Sequence, residues 1–318
     1  MNHLRMAATL VITLCLPLAS VACTGQTDLP PTPPAETPGP SPTTVKLPTF
    51  SHVFIIVLEN KEATGIIGNP DAQYLNSLAA QYARADRAYG VTHPSLPNYL
   101  ALTGGSTFGI NSDCTRCFVE AANIVDQLET AGRSWKAYME SMPQPCFVGD
   151  AGPLYAQKHN PFIYFNDIRT NAGRCNKIVP FDQFAADVQA GALPDYVWIT
   201  PNLCSDMHDC SISTGDNWLQ TWVPRILASP AWKNNGVLFI TFDEGMSGQA
   251  ASCGNAAGGN VVTLVISPLV QPGFVSHVPY DHFALLHTIE VAWGLPPLGS
   301  ASDECALPMA DFFATVSH

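Results

Sequence analysis

The chain has 318 residues, 47% of them hydrophobic and 13% charged, and a formal net charge of −12 at pH 7. Such an acidic chain, with no basic run, argues against nucleic acid as a partner, because phosphate backbones call for clustered Lys and Arg. A small phosphorylated substrate is still admitted, since it needs only a local cation.

The N-terminus sets the compartment. Met1 to Ala22 carries Arg5, an apolar run from Met6 to Leu18, and Ser20-Val21-Ala22 just ahead of Cys23. Residues 1–22 therefore read as a secretory signal peptide, too short to be a spanning helix. Cys23 at the cleavage point suggests a lipid anchor, the only membrane link expected. Ser20 is a poor match to the leucine usual in lipoprotein signals, and plain cleavage with release is the alternative. Either way the protein is expected outside the cytoplasm of a bacterium, secreted or on the cell surface. Residues 23–48 hold eight prolines among Thr, Ser and Gly, which cannot build a core and read as an extended tether. Residues 49–318 have room for one sizeable domain.

Within that domain the first strand signal is His52-Val53-Phe54-Ile55-Ile56-Val57-Leu58, an apolar run that stops abruptly at Glu59-Asn60. A helical pattern over Asp71–Ala85 follows, then Thr92-His93-Pro94-Ser95-Leu96-Pro97-Asn98-Tyr99-Leu100. Pro97 suits the first turn of a helix, which places Ser95 at or next to its N-cap, beside free amides and the positive end of the dipole. A phosphate oxygen is stabilised in such a place, although Ser is also among the best plain cap residues.

Further helical patterns cover Ala122–Ala131 and Phe181–Ala190, with Lys158-His159-Asn160-Pro161 between them. The strand Asp195–Thr200 leads into Pro201-Asn202-Leu203-Cys204-Ser205-Asp206-Met207-His208-Asp209-Cys210, and a helical pattern follows over Asp216–Ala228. Gly236 to Phe242 is a second apolar run that ends in carboxylates, here Asp243-Glu244, and His282 opens a last amphipathic pattern over Asp281–Trp293. Continuous apolar strands alternating with helices predict a largely parallel sheet covered on both faces. Ligands bind such sheets beyond the carboxyl ends of the strands. Glu59, Asn60, Asp243 and Glu244 would meet there as a hard-cation site facing Ser95. His52, His277 and His287 read as structural, whereas His93, His159, His208 and His282 lie in polar loops or helix starts.

Cysteine usage agrees with export. Setting aside Cys15 and Cys23 leaves eight cysteines, which allow 105 pairings. Sequential pairing is expected: 114–117, 146–175, 204–210 and 253–305.

The order Glu-Asn, Thr-His-Pro-Ser-x-Pro-Asn-Tyr-Leu-Ala-Leu, Lys-His-x-Pro, Pro-Asn-x-x-x-Asp-Met-His-Asp-x-Ser-Ile and Asp-Glu resembles the phosphoesterase family of acid phosphatases and bacterial phospholipases C. The likeness runs from about Leu47 to Leu298. It implies the alkaline-phosphatase-like fold, a three-layer α/β/α sandwich with a largely parallel central sheet. It also implies a nucleophile at Ser95 rather than Thr92, and at Asn98 an amide that holds a phosphate oxygen. Glu59, Asn60, Asp243 and Glu244 match the family's metal positions, while His93, His159, Asn202, Asp206, His208 and His282 match its remaining polar pocket. The uncharged, Gly-rich stretch Gly245–Gly259 departs from the pattern and leaves the substrate-facing loop open.

The chemistry these residues support is transfer of a phosphoryl group through a phosphoserine. A divalent cation held by Glu59, Asn60, Ser95, Asp243 and Glu244 would activate the hydroxyl. Carboxylate and amide oxygens suit Mg, Ca or Mn, and added imidazoles admit Zn or Fe. His208 or His282 would protonate the leaving alkoxide and later activate water. A metal-dependent phosphomonoesterase is the first reading, with small phosphorylated substrates; phosphoinositides or other phospholipid-derived esters follow from the resemblance alone. A phosphodiesterase or phospholipase C on the same fold is the second, and a non-catalytic surface-binding lipoprotein the third.

Overall fold

The computed structural model describes residues 47–250 and 257–313. The expected signal peptide, Cys23, the expected tether as far as residue 46, and Cys253 lie outside the described residues. Nine strands form one sheet: β1 (Val53–Leu58), β2 (Ala83–Tyr89), β3 (Trp135–Met139), β4 (Ile178–Pro180), β5 (Tyr196–Thr200), β6 (Val237–Phe242), β7 (Asn260–Ile266), β8 (Phe274–Ser276) and β9 (Tyr280–Asp281). Their order is β4-β3-β5-β1-β6-β7-β2-β8, with β9 beside β2. Only β7 runs antiparallel to its neighbours, β6 and β2. This is the expected mixed α/β sandwich with a mostly parallel sheet.

Every residue of β1, β5 and β6 is buried, which requires cover on both faces. Burial of each large apolar side chain there contributes about 1.5–3 kcal/mol. The helix Ser95–Gly104 packs against His282–Trp293, and Gln73–Gln81 packs against Ile212–Ala228. Among the described residues no helix is long and apolar enough to cross a membrane.

The register of the central strands places the site. Leu58 of β1 lies opposite Phe242 of β6, so Glu59 and Asp243 leave the sheet side by side. The Asp243 amide donates to the Leu58 carbonyl (2.9 Å), and the Glu59 amide donates to the Asp206 carbonyl beyond β5 (2.9 Å). Gly90, past the end of β2, has no room for a side chain: a Cβ there would stand 2.8 Å from the Asp243 carbonyl oxygen.

One expected element is corrected. The helical pattern over Asp71–Ala85 ends at Gln81, and Ala83-Arg84-Ala85 already belongs to β2. Its small alanines alternate buried with partly exposed positions, so the two-residue period of a strand wins there. Three of the expected disulfides are present, Cys114–Cys117, Cys146–Cys175 and Cys204–Cys210. Cys305 is disulfide-bonded too; its expected partner, Cys253, is the one outside the described residues.

Candidate active site

Five short segments, residues 59–60, 95–99, 158–159, 206–208 and 243–244, converge where β1, β5 and β6 end. After β1 the chain turns at Asn60, a left-handed residue with φ 54°, a conformation Asn tolerates better than most. The turn aims the Asn60 amide N–H at Asp243 Oδ1 (3.1 Å), while the side-chain amide donates to Glu59 Oε2 (3.1 Å). Glu59 is fully buried. Its Oε1 accepts from the Tyr99 hydroxyl (2.6 Å) and its Oε2 from Ser95 Oγ (3.2 Å).

Ser95 is the first residue of its helix, with Pro94 at the N-cap and no side chain capping the end. The plain-cap role is thereby ruled out, because the hydroxyl points at Glu59. Lys158 Nζ approaches the same Oγ to 3.5 Å, and also lies 3.1 Å from Asp113 Oδ2 and 3.4 Å from His208 Nε2. Asp113 Oδ1 in turn accepts from the Leu96 amide (3.0 Å).

His159 lies stacked on the Tyr99 ring, 5.3 Å between centroids, and is buried between two carboxylates. Its Nε2 stands 3.0 Å from Glu59 Oε1 and its Nδ1 3.3 Å from Asp206 Oδ2. The Nε2 contact lacks hydrogen-bond alignment, so His159 Nε2, Asp206 Oδ2 and Asp243 Oδ2 are all buried without a hydrogen-bond partner. Buried polar atoms are normally satisfied. Three orphans at one spot, beside a fully buried carboxylate, fit a cation better than an empty core. Glu59, His159 and Asp206 bring ligand atoms within 4.8 Å of one another and could hold a metal ion.

The charges tell the same story. Burial drives the Asp243 carboxyl well above its ordinary range, and repulsion from Glu59 and Glu244 adds to it. Burial works against Glu59 as well, but the close His159 charge and the hydrogen bond from Tyr99 outweigh it and hold Glu59 low. Burial would lower His159; Glu59 and Asp206 outweigh it and lift its pKa to about 9. The opposed shifts of Asp243 and His159 have one cause, the concentration of buried carboxylates at this spot.

Not every expected residue faces the nucleophile. Asn98 is committed to its own loop: its carbonyl accepts from the Val91 and Thr92 amides (2.7 and 3.1 Å), and its amide donates to the Thr92 and Pro94 carbonyls (2.7 and 3.3 Å). These bonds tie Asn98 to the loop that leads into Ser95. Glu244 pairs with His93 Nδ1 (2.6 Å), whose Nε2 meets the Ser247 carbonyl. Asn202 caps the loop that carries Asp206 and His208, accepting from the Cys204 and Ser205 amides. His282 is buried, with Nε2 on the Asp243 carbonyl, and burial lowers its pKa to about 4. His208 keeps Nε2 toward Lys158 because Nδ1 is engaged by Asp209 Oδ1 (2.7 Å).

Tyr99, Asp113 and Lys158 went unnoticed in the sequence. Only Lys158 carried a signal, as a lone cation beside His159 in an acidic chain.

The sequence profile of the phosphoesterase family matches residues 68–296. A phosphatidylinositol-3-phosphatase of Mycobacterium tuberculosis is 34% identical over 270 residues, covering 84% of each chain. An acid phosphatase of Aspergillus fumigatus is 29% identical over 262 residues, 79% of this chain and 56% of that longer protein. Among solved structures, a protein in the alkaline phosphatase superfamily from Vibrio parahaemolyticus superposes with a TM-score of 0.55 at 13% identity. That superposition covers 79% of this chain and 68% of the other, and shows a shared fold.

Proposed function

The chain belongs to the phosphoesterase family and is a hydrolase of phosphoric esters, and from that premise we propose that it cleaves phosphomonoesters through a phosphoserine at Ser95, outside the cytoplasm. The observation that carries the reading is the Ser95 hydroxyl, which lies between the Glu59 carboxylate and the Lys158 ammonium at the start of a helix.

Ser95 Oγ, its proton passed to solvent, attacks phosphorus as the alkoxide, and the bond to the ester oxygen breaks; hydrolysis of the phosphoserine returns the same alkoxide. The departing alkoxide takes a proton from His208 Nε2, which Asp209 orients through Nδ1. A water molecule deprotonated by the same nitrogen then attacks the phosphoserine and releases phosphate. Throughout, the Lys158 ammonium offsets charge on the phosphoryl oxygens. Glu59 polarises the hydroxyl, but a carboxylate held below its usual range is a poor resting place for a proton. A divalent cation fits the buried cluster of Glu59, Asp243, Asp206 and His159, with Asn60 and Ser95 at its edge; when bound it lowers the hydroxyl's own pKa. His282 acts from behind, fixing Asp243. The likeness to a phosphatidylinositol-3-phosphatase over most of both chains supports a phosphorylated headgroup among the substrates.

The reading is tested by phosphate release from a chromogenic phosphomonoester. Ser95→Ala is expected to lose at least about a hundredfold in kcat, and a chelator to abolish wild-type turnover reversibly. Near-normal turnover by a folded Ser95→Ala chain would refute it.

A further inference from the structure

Asp113 lies in a loop outside the strands and helices, yet it touches two groups that flank the nucleophile. Its Oδ1 accepts from the Leu96 amide at 3.0 Å and its Oδ2 stands 3.1 Å from Lys158 Nζ. That same ammonium is 3.5 Å from Ser95 Oγ. A planar anion thus bridges an amide at the start of the nucleophile's helix and a cation beside the attacking oxygen. Two oxygens of a tetrahedral phosphoryl group centred near Ser95 need a comparable bridge.

We propose that Lys158 and the Leu96 amide form the cradle for the substrate's phosphoryl oxygens, and that Asp113 is a tethered anion which fills this cradle until substrate displaces it. The proposal rests on the serine phosphoesterase reading and deepens it. The Asp113 side chain is 29% exposed, so it has water to swing into when displaced. It cannot drift far, because the adjoining Cys114–Cys117 ring is anchored by Thr115, whose carbonyl accepts from the buried Gln157 amide (2.8 Å). Gln157 directly precedes Lys158, so the tether and the cradle's cation are fastened to each other.

An internal competitor lowers the apparent affinity of every anion that needs the cradle by one common factor, the fraction of molecules in which the cradle is open. Substrate and product phosphate both bind less tightly, and phosphate leaves faster after each cycle. The two partners of this ion pair therefore have opposite effects, which a merely structural salt bridge would not show.

The test is calorimetric binding of inorganic phosphate to the full chain, alongside KM and kcat for a phosphomonoester. Asp113→Asn is expected to tighten phosphate binding and lower KM by about tenfold each. Lys158→Gln is expected to weaken phosphate by about tenfold, while Lys158→Arg keeps the charge and stays within about threefold of wild type. Weaker phosphate binding in both Asp113→Asn and Lys158→Gln, or no change in either, would overturn the proposal. So would loss of kcat in Asp113→Asn at unchanged KM. Phosphate binding needs no turnover, so a chain that binds phosphate but cleaves no ester would sink the function proposed above while leaving the cradle to be judged on its own.

Discussion

At the residue scale, the placement of Ser95 was legible: a hydroxyl flanked by prolines begins a helix and faces a strand-end carboxylate. Lys158 was not, because a lysine in a loop is ordinarily solvated. Its place in the site comes from folding, which brings Asp113 and Ser95 to it from 45 and 63 residues away. Asn98, which motif likeness makes a phosphate ligand, is engaged in this structure with its own loop. The histidines divide by what their second nitrogen meets. His208 presents Nε2 to the site with Asp209 behind it, and His282 spends its Nε2 on a backbone carbonyl. His208→Gln should therefore cut kcat/KM, which reports only the steps up to departure of the leaving group, by about 10²–10⁴ for an alkyl phosphate and far less for a nitrophenyl phosphate whose leaving group needs no proton. Equal losses of kcat/KM on both substrates would assign the general acid elsewhere.

At the element scale, strands β1 and β6 were read correctly, because unbroken β-branched and aromatic runs have one good home, the middle of a covered sheet. The segment after Asp71 was read as too long a helix, because alanines carry little periodic signal and pairing with β7 decides their state. The helix His282–Trp293 carries a cost of its own. Glu290 is fully buried; one carboxylate oxygen accepts from the Leu298 amide (2.9 Å) and the other has no partner. Burial lifts its pKa to about 8. An acid whose folded pKa is raised holds its proton more tightly in the folded state. Its contribution to stability is therefore full below the ordinary pKa near 4.5 and is lost as pH rises through about 8. Glu290→Gln should leave Tm little changed at pH 5 and raise it at pH 8, by an amount worth on the order of a few kcal/mol. Parallel melting curves for the two proteins from pH 5 to pH 8 would show that Glu290 is not buried as described.

At the scale of the whole molecule, the fold's contribution is register. Because β1 and β6 are aligned residue for residue, two strands that meet only at the centre of the sheet deliver Glu59 and Asp243 to one point. The loop after β5 adds Asp206 and His208, and the helix after β2 adds Ser95. The carboxyl edge of the sheet was the expected place for this site. The His159 bridge and the Asp113–Lys158 pair were not foreseeable, because they join segments with no shared sequence pattern. The central claim is that phosphate passes through a covalent bond to Ser95. It is tested most directly by mixing the purified chain with a fast-cleaving phosphomonoester, quenching in acid within a turnover, and mapping phosphorylated peptides by mass spectrometry. The account predicts a phosphoryl group on the peptide bearing Ser95, absent from unmixed protein and from Ser95→Ala. Turnover with no phosphopeptide at any quench time, or with the phosphoryl group on another residue, would contradict it.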